Sequence, residues 1–256
     1  MPAYPFVKPL AALALLAALA APAAAQSLRI LTAGAFKQVV VALVPVFEAQ
    51  TGVHVEVSND TAGALVRRVQ GGEAFDLIVL PPGSLETLAR DGKVDAASMR
   101  PVARVAIGVA VRAGAARPPL ETVEQFKEAV LAARKVAYID PAAGGSSGIY
   151  LSGLFQRLGI ADAVQAKAVL VPGGLVAERL VSGEADLAIH QISEILPVKG
   201  AELVGPLPAA IQNHTTYAVG IARAPRHEAA ALAFAAALTG PETAQILRAT
   251  GMTPAR

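Results

Sequence analysis

Short β-type runs alternate with amphipathic helical stretches from Leu28 onward, and this alternation restricts the fold more than any other feature of the chain. Residues 28–32 read as a strand, after which Phe36, Val39, Val40, Leu43 and Phe47 recur at helical spacing until Thr51-Gly52 stops the helix. Val53, Val55 and Val57 alternate with His54 and Glu56 as a second strand. Asn59-Asp60-Thr61 offers N-cap oxygens to a helix through Leu65, Val66 and Val69, closed by Gly71-Gly72. Residues 76–80 form a third strand, ended by Pro81-Pro82. Parallel strands need a crossover, so this β-α-β-α-β order predicts a mostly parallel sheet with helices on both faces.

A long β run at 102–111 leads into a second unit of the same grammar. Its strands are expected at 136–139, 168–171 and 187–189, with glycine-rich loops at 144–148 and 172–174 leading into helices at 149–158 and 175–181. A further β run at 216–222 precedes Ala-rich helices at 228–238 and 241–250. The expected class is α/β with two lobes, each a mostly parallel sheet flanked by helices. Residues 26–104 with 225–256 make lobe 1, and 105–224 make lobe 2.

The first residues follow a different rule. Residues 9–25 read PLAALALLAALAAPAAA, without a charge, preceded by Lys8 and ending in Ala23-Ala24-Ala25 before Gln26. A basic residue, an apolar stretch and a small-x-small site are the parts of a secretory signal peptide, expected over residues 1–25. The run is shorter than the roughly 20 residues of a spanning helix, and Pro22 interrupts it. Cysteine is absent, which excludes disulfides, thiol catalysis and thiolate metal sites. Export without cysteines fits a bacterial periplasm.

With 22 basic and 20 acidic residues, 4% aromatics and no Trp, the chain lacks both the charge and the stacking surface of a nucleic-acid binder. A 54% apolar, 16% charged composition excludes intrinsic disorder. Histidines at 54, 190, 214 and 227 show no metal-ligand spacing, and no GxxxxGK[ST] phosphate loop occurs. No metal, cofactor or catalytic role is expected, and the chain is expected to be a monomer. Gly144-x-Ser146-x-Gly148 matches the nucleophile elbow of serine hydrolases, with Asp186 and His190 or His214 following in order. However, residues 140–143 intervene between strand and serine, and no oxyanion segment precedes them, so a hydrolase using Ser146 is only an alternative.

Ligands of open α/β sheets bind beyond the carboxyl ends of the strands. Those ends here carry Ala33-Gly34-Ala35, Thr61-Ala62-Gly63, Ser146-Ser147-Gly148 and Gly173-Gly174. Small residues opening a helix expose unpaired N–H groups to an anion.

TAGAFKQVVVALVPVFEAQTGVHVEV, DTAGALVRRVQGGEAFDLIVL and VAYIDPAAGGSSGIYLSGLFQRLG resemble the periplasmic molybdate-binding proteins of ABC importers, as do YAVGIA and FAAALTGPETAQIL. The resemblance runs over about residues 28–251. It implies the type II periplasmic binding-protein fold, closing on a solute and presenting it to an ABC permease in the inner membrane. Family contact positions fall on Ala35 and Ala62 (serines in the family), on Ser147 and Gly173, and on Gln191 in place of a tyrosine. Thr61, Gly63 and Ser146 flank them, as does His190 beside Gln191. Lys37, Arg67 and Arg68 lie near these loops, and guanidinium pairs well with carboxylate. The expected ligand is a small anion, a di- or tricarboxylate ahead of molybdate or tungstate. A molybdate-binding protein proper is the other alternative.

Overall fold

Leu28 and Ile30, wholly buried, fix the first strand, β1 (Ser27–Ala33), inside a sheet whose neighbours come from distant parts of the chain. The computed structural model describes residues 27–255, so the expected signal peptide lies outside the described residues. A short 3₁₀ turn (Gly34–Phe36) leads into α1 (Lys37–Thr51), then β2 (His54–Asp60), α2 (Ala62–Gln70) and β3 (Leu77–Leu80). Next come α3 (Pro82–Arg90) and the long β4 (Arg100–Arg112). The second unit holds α4 (Val123–Ala132), β5 (Val136–Ile139), α5 (Ser146–Arg157), α6 (Ala161–Gln165) and β6 (Ala168–Val171). It continues through α7 (Glu178–Val181), β7 (Leu187–Gln191), α8 (Ile192–Ile195) and β8 (Ala201–Pro206). β9 (His214–Ile221), α9 (Glu228–Leu238), α10 (Pro241–Ala249) and β10 (Met252–Pro254) end the described chain. Among the described residues no helix is long and apolar enough to cross a membrane.

The strands form one curled, mixed ten-stranded sheet in the order β2-β1-β3-β9-β4-β7-β5-β6, with β8 and β10 both on β4. β1 is parallel to β2 and β3, and β5 is parallel to β6 and β7, as the βαβ grammar predicts. The first half of β4 is antiparallel to β9 and β10, and its second half is antiparallel to β7 and β8. β9 inserts between β3 and β4 and so runs with the first lobe's sheet, although chain order alone groups it with 105–224. α3, an element the sequence reading does not assign, follows the strand that Pro81-Pro82 ends. Pro82 is its first residue, where a missing N–H leaves no hydrogen bond unmade.

Each lobe packs its own core. In the first, Phe36, Leu65, Ile78, Tyr217 and Phe234 are buried together, and the Phe47 and Phe234 rings meet edge-on at 4.9 Å. In the second, Phe126, Leu151, Phe155 and Ile189 fill one face of the sheet, and Val176, Leu180, Ala188 and Ile195 fill the other. The C-terminal helices return to α1 and complete the first lobe.

One buried carboxylate pins that return. Asp76, 1% exposed, accepts from the backbone N–H groups of Arg29 (2.9 Å), Arg226 (2.6 Å) and His227 (3.2 Å). It thereby ties the start of β3 to β1 and to the segment entering α9. Replacing Asp76 by Ala leaves these donors without an acceptor. The expected cost is about 3 kcal/mol of unfolding free energy, measured by chemical denaturation of the mature protein.

Candidate functional site

The carboxyl ends of β1, β2 and β5 and the start of α5 converge on a small cavity between the lobes. Ala33, Gly34, Ala35, Asn59, Asp60, Thr61 and Ala62 line it from one side; Ile139, Gly145, Ser146, Ser147 and Gly174 line it from the other. His190, Gln191, Glu194 and Tyr217 form its floor. Its free volume, counted for the centres of water molecules, is ≈ 30 Å³, a few times what a single water needs.

The rim is closed by direct contact of the lobes. The Gly63 N–H donates to the Gly144 carbonyl at 3.0 Å, and the Thr61 hydroxyl donates to the Ala143 carbonyl at 2.6 Å. Thr61 also caps α2, accepting from the Ala64 N–H. A Cβ at position 63 would sit 2.8 Å from the Gly144 Cα, and Gly144 itself has φ +79°. Both positions need glycine for the two backbones to meet. At Gly148, a Cβ would strike the Ile139 carbonyl oxygen, so a glycine there lets α5 start directly against the end of β5.

The floor is a buried polar network. The Tyr217 hydroxyl donates to Gln191 Oε1 (2.8 Å), and Gln191 Nε2 donates to Thr215 Oγ1 (2.9 Å) and Ser146 Oγ (3.3 Å). Across the turn from β7 into α8, His190 Nε2 and Glu194 Oε2 approach to 3.2 Å. His190 is 2% exposed and Glu194 7%. The Nδ1 of His190 and the Oγ of Ser193 have no hydrogen-bond partner among the described residues. Burial pushes the Glu194 carboxyl up to about 8 and the His190 imidazole down to about 3. Burial, and then the Glu194 charge, also raises the Tyr217 phenol above its ordinary value. Near neutral pH the His190–Glu194 pair is therefore uncharged and holds one proton between its facing atoms.

Ala35, Thr61, Ala62, Ser146, Ser147 and Gln191 line the cavity where the sequence places them. Other expected contacts lie elsewhere. Gly63 forms the rim contact, and Gly174 lines the cavity where Gly173 was expected. Lys37, half-buried in the first turn of α1, is outside the lining, because the 3₁₀ turn before it puts Ala35 there instead. Arg67 is exposed, and Arg68 turns to Glu73 (2.6 Å), Ser58 (2.8 Å) and Asp60 (3.5 Å). His214 is exposed at the start of β9. Among the described residues no Lys or Arg lines the cavity. Asp186, tied to Arg134 at 2.6 Å and to the Lys135 N–H, stands at the opposite end of β7 from His190. Ser146 therefore has no triad.

Glu194 and Tyr217 were not legible as contacts. Gln191 stands where the resemblance implied a tyrosine, and β9 brings a tyrosine, Tyr217, against it from another part of the chain. The helical spacing of His190 and Glu194 was the only signal for that pair.

The family model described as bacterial extracellular solute-binding protein matches residues 28–253. Aconitate isomerase from Pseudomonas sp is 31% identical over 234 residues, covering 89% of this chain and 88% of that protein. Among solved structures, the periplasmic molybdate-binding protein of Azotobacter vinelandii is similar with a TM-score of 0.76. It is 22% identical, with 90% of this chain and 100% of that one covered. The sulfate-binding protein of Mycobacterium tuberculosis H37Rv reaches a TM-score of 0.71 at 19% identity, covering 90% of this chain and 87% of that one. The architecture is the type II periplasmic binding-protein fold.

The buried pair has a stability signature. Between pH 6.5 and 8 the folded state keeps the Glu194 proton that the unfolded chain, with its carboxyl near 4.5, has lost. The folded state then binds more protons, so stability falls as pH rises through this window, by up to about 1.4 kcal/mol per unit. Below 6.5, His190 acts with the opposite sign, since the unfolded imidazole gains a proton that the folded one refuses. Denaturation of the ligand-free protein should show the decline between pH 6.5 and 8, and Glu194→Gln should flatten it.

Proposed function

The chain belongs to the bacterial extracellular solute-binding protein family, and from that premise we propose that it captures a small tetrahedral oxyanion of the molybdate and tungstate class. It is a periplasmic binding protein that holds its solute between two lobes, and in this reading it presents the anion to an ABC permease in the inner membrane. The observation that carries the choice of ligand is the lining: a cavity of ≈ 30 Å³ built mostly from small neutral residues, with no Lys or Arg among the described residues that line it. Ser146 and Ser147 bring hydroxyls to the lining, and Ala62 and Ser146 open α2 and α5 there, whereas the Thr61 and Tyr217 hydroxyls donate to the Ala143 carbonyl and to Gln191. An oxyanion with its charge spread over equivalent oxygens suits such a set. The polycarboxylate preference rested on Lys37, Arg67 and Arg68, and all three stay outside. The molybdate- and sulfate-binding proteins that share the fold support this direction. Capture proceeds by closure: the anion bridges both lobes, and the rim bonds at Gly63 and Thr61 form only in the closed state.

One observation favours a second reading. The relative named aconitate isomerase acts on a tricarboxylate, and His190 and Glu194 place a base and an acid side by side in the lining. Glu194, whose carboxyl burial lifts to about 8, is able once ionised to take a proton from one carbon of a bound unsaturated acid and return it at another.

A thermal-shift screen of the mature protein separates the two. Tungstate or molybdate at about 100 times its Kd is expected to add about 2.7 kcal/mol of stability, and Ser147→Ala should weaken binding roughly tenfold. A shift confined to tricarboxylates, with ultraviolet absorbance showing interconversion of cis- and trans-aconitate, would replace the first reading with the second.

A further inference from the structure

We propose that the His190–Glu194 pair is a proton-bearing donor to the captured anion, so that solute capture in this cleft is linked to protonation of the pair. This deepens the oxyanion reading and rests on it.

The geometry starts at Gly34. A Cβ at that position would lie 2.5 Å from Glu194 Oε1, so the missing side chain lets a carboxyl from α8, in the second lobe, reach the first lobe's loop. The other carboxyl oxygen faces His190 Nε2 at 3.2 Å. When Glu194 is protonated its O–H donates to Nε2, and the hydrogen of the neutral ring must then sit on Nδ1. Nδ1 is buried and has no acceptor among the described residues, while the ring lines the cavity. A buried N–H without an acceptor is costly, and an oxyanion oxygen is a strong acceptor. Glu194 thereby fixes the tautomer that makes His190 a donor.

An ionised Glu194 would have the opposite effect. Its charge would add to that end of the cavity, deep on the floor and away from the Asp60–Arg68 pair at the rim, and among the described residues no Lys or Arg lines the cavity to offset the repulsion. Of the other titratable groups facing the pair, Tyr217 on β9 is held neutral well above its ordinary range. Asp60, at the end of β2, is held by the Thr61 N–H (2.8 Å) and by Arg68. No charged group contributes to the raised affinity of Glu194 for its proton; burial alone causes it. The anion and the Glu194 carboxylate therefore exclude one another, and binding keeps or takes up a proton.

The test is calorimetric titration of the mature protein with tungstate, a dianion throughout, from pH 6 to 9.5 in buffers of different protonation enthalpy. Affinity is expected to hold below about pH 7.5 and then to fall nearly tenfold per unit above about pH 8, with proton uptake on binding in that range. Glu194→Gln should remove the slope whatever its affinity at pH 7, and His190→Ala should weaken binding at least tenfold. A wild-type affinity that does not change with pH, or a slope that survives Glu194→Gln, overturns the inference while leaving the oxyanion reading intact. Tungstate failing to bind at any pH overturns both. Should the variants fail to fold, ¹⁵N-histidine spectra of the wild type decide. A neutral His190 carrying its hydrogen on Nδ1 from pH 5 to 8, and shifting on tungstate addition, supports the pair; a hydrogen on Nε2, or a cationic ring at pH 6, overturns it.

Discussion

β4 is the strand on which the rest of the molecule depends. Its first half is hydrogen-bonded to β9, with Ala103 opposite Tyr217, and its second half to β7, with Ile107 opposite Gln191 and Gly108 opposite His190. The phenol of the first lobe and the imidazole of the second are thus registered against each other by one backbone ladder, not by loops. Gly108 shows how tight that ladder is. A Cβ there would meet Ile192 Cγ1 and Leu203 Cδ1, each at 2.8 Å, pushing α8 and Glu194 away from the cavity. β9 and β4 both run along the floor, and across the rim the lobes meet through the Thr61 hydroxyl and the Gly63 N–H, each donating to a carbonyl of the 143–144 turn. A floor held by one backbone ladder is preorganised for its ligand.

The sequence made visible whatever depends on local periodicity or on the rule for strand ends. Alternating valines, helical spacing and glycine stops located the parallel βαβ units, and small residues after β1, β2 and β5 marked the cavity wall. Long-range pairing left no comparable trace. The insertion of β9 between β3 and β4 is a tertiary choice, and it sets Tyr217 beside Gln191, where the resemblance implied a tyrosine. The basic residues misled for a related reason. Arg68 lies close to Thr61 along the chain, yet its position on α2 presents it to Glu73 and Ser58, where two short hydrogen bonds hold it. Pro81-Pro82 end β3 as the sequence indicates, and Pro82 also opens α3, which the sequence reading left unassigned.

The absence of cations is a selective device as well as a structural fact. A buried Lys or Arg attracts any anion of suitable size, since its Coulomb energy depends little on where the acceptor oxygens point. Hydroxyls and backbone N–H groups have fixed directions and satisfy only a ligand whose oxygens meet them, and an unmet buried donor costs about 1–3 kcal/mol. Such a cavity reads the number and geometry of acceptors.

A neutral lining works only while its own acids remain neutral. Two carboxyls touch this cavity, and the structure treats them differently: Asp60 at the rim keeps a guanidinium beside it, whereas Glu194 at the floor has only an imidazole that is itself too buried to ionise. The first lies against its guanidinium at 3.5 Å. The second loses its charge by burial, and in doing so changes from a group that repels anions into one that orients a donor towards them. Gly34 makes that possible, because any side chain there would displace the carboxyl from the cavity wall. The chemistry of the floor thus depends on the absence of one Cβ in the opposite lobe.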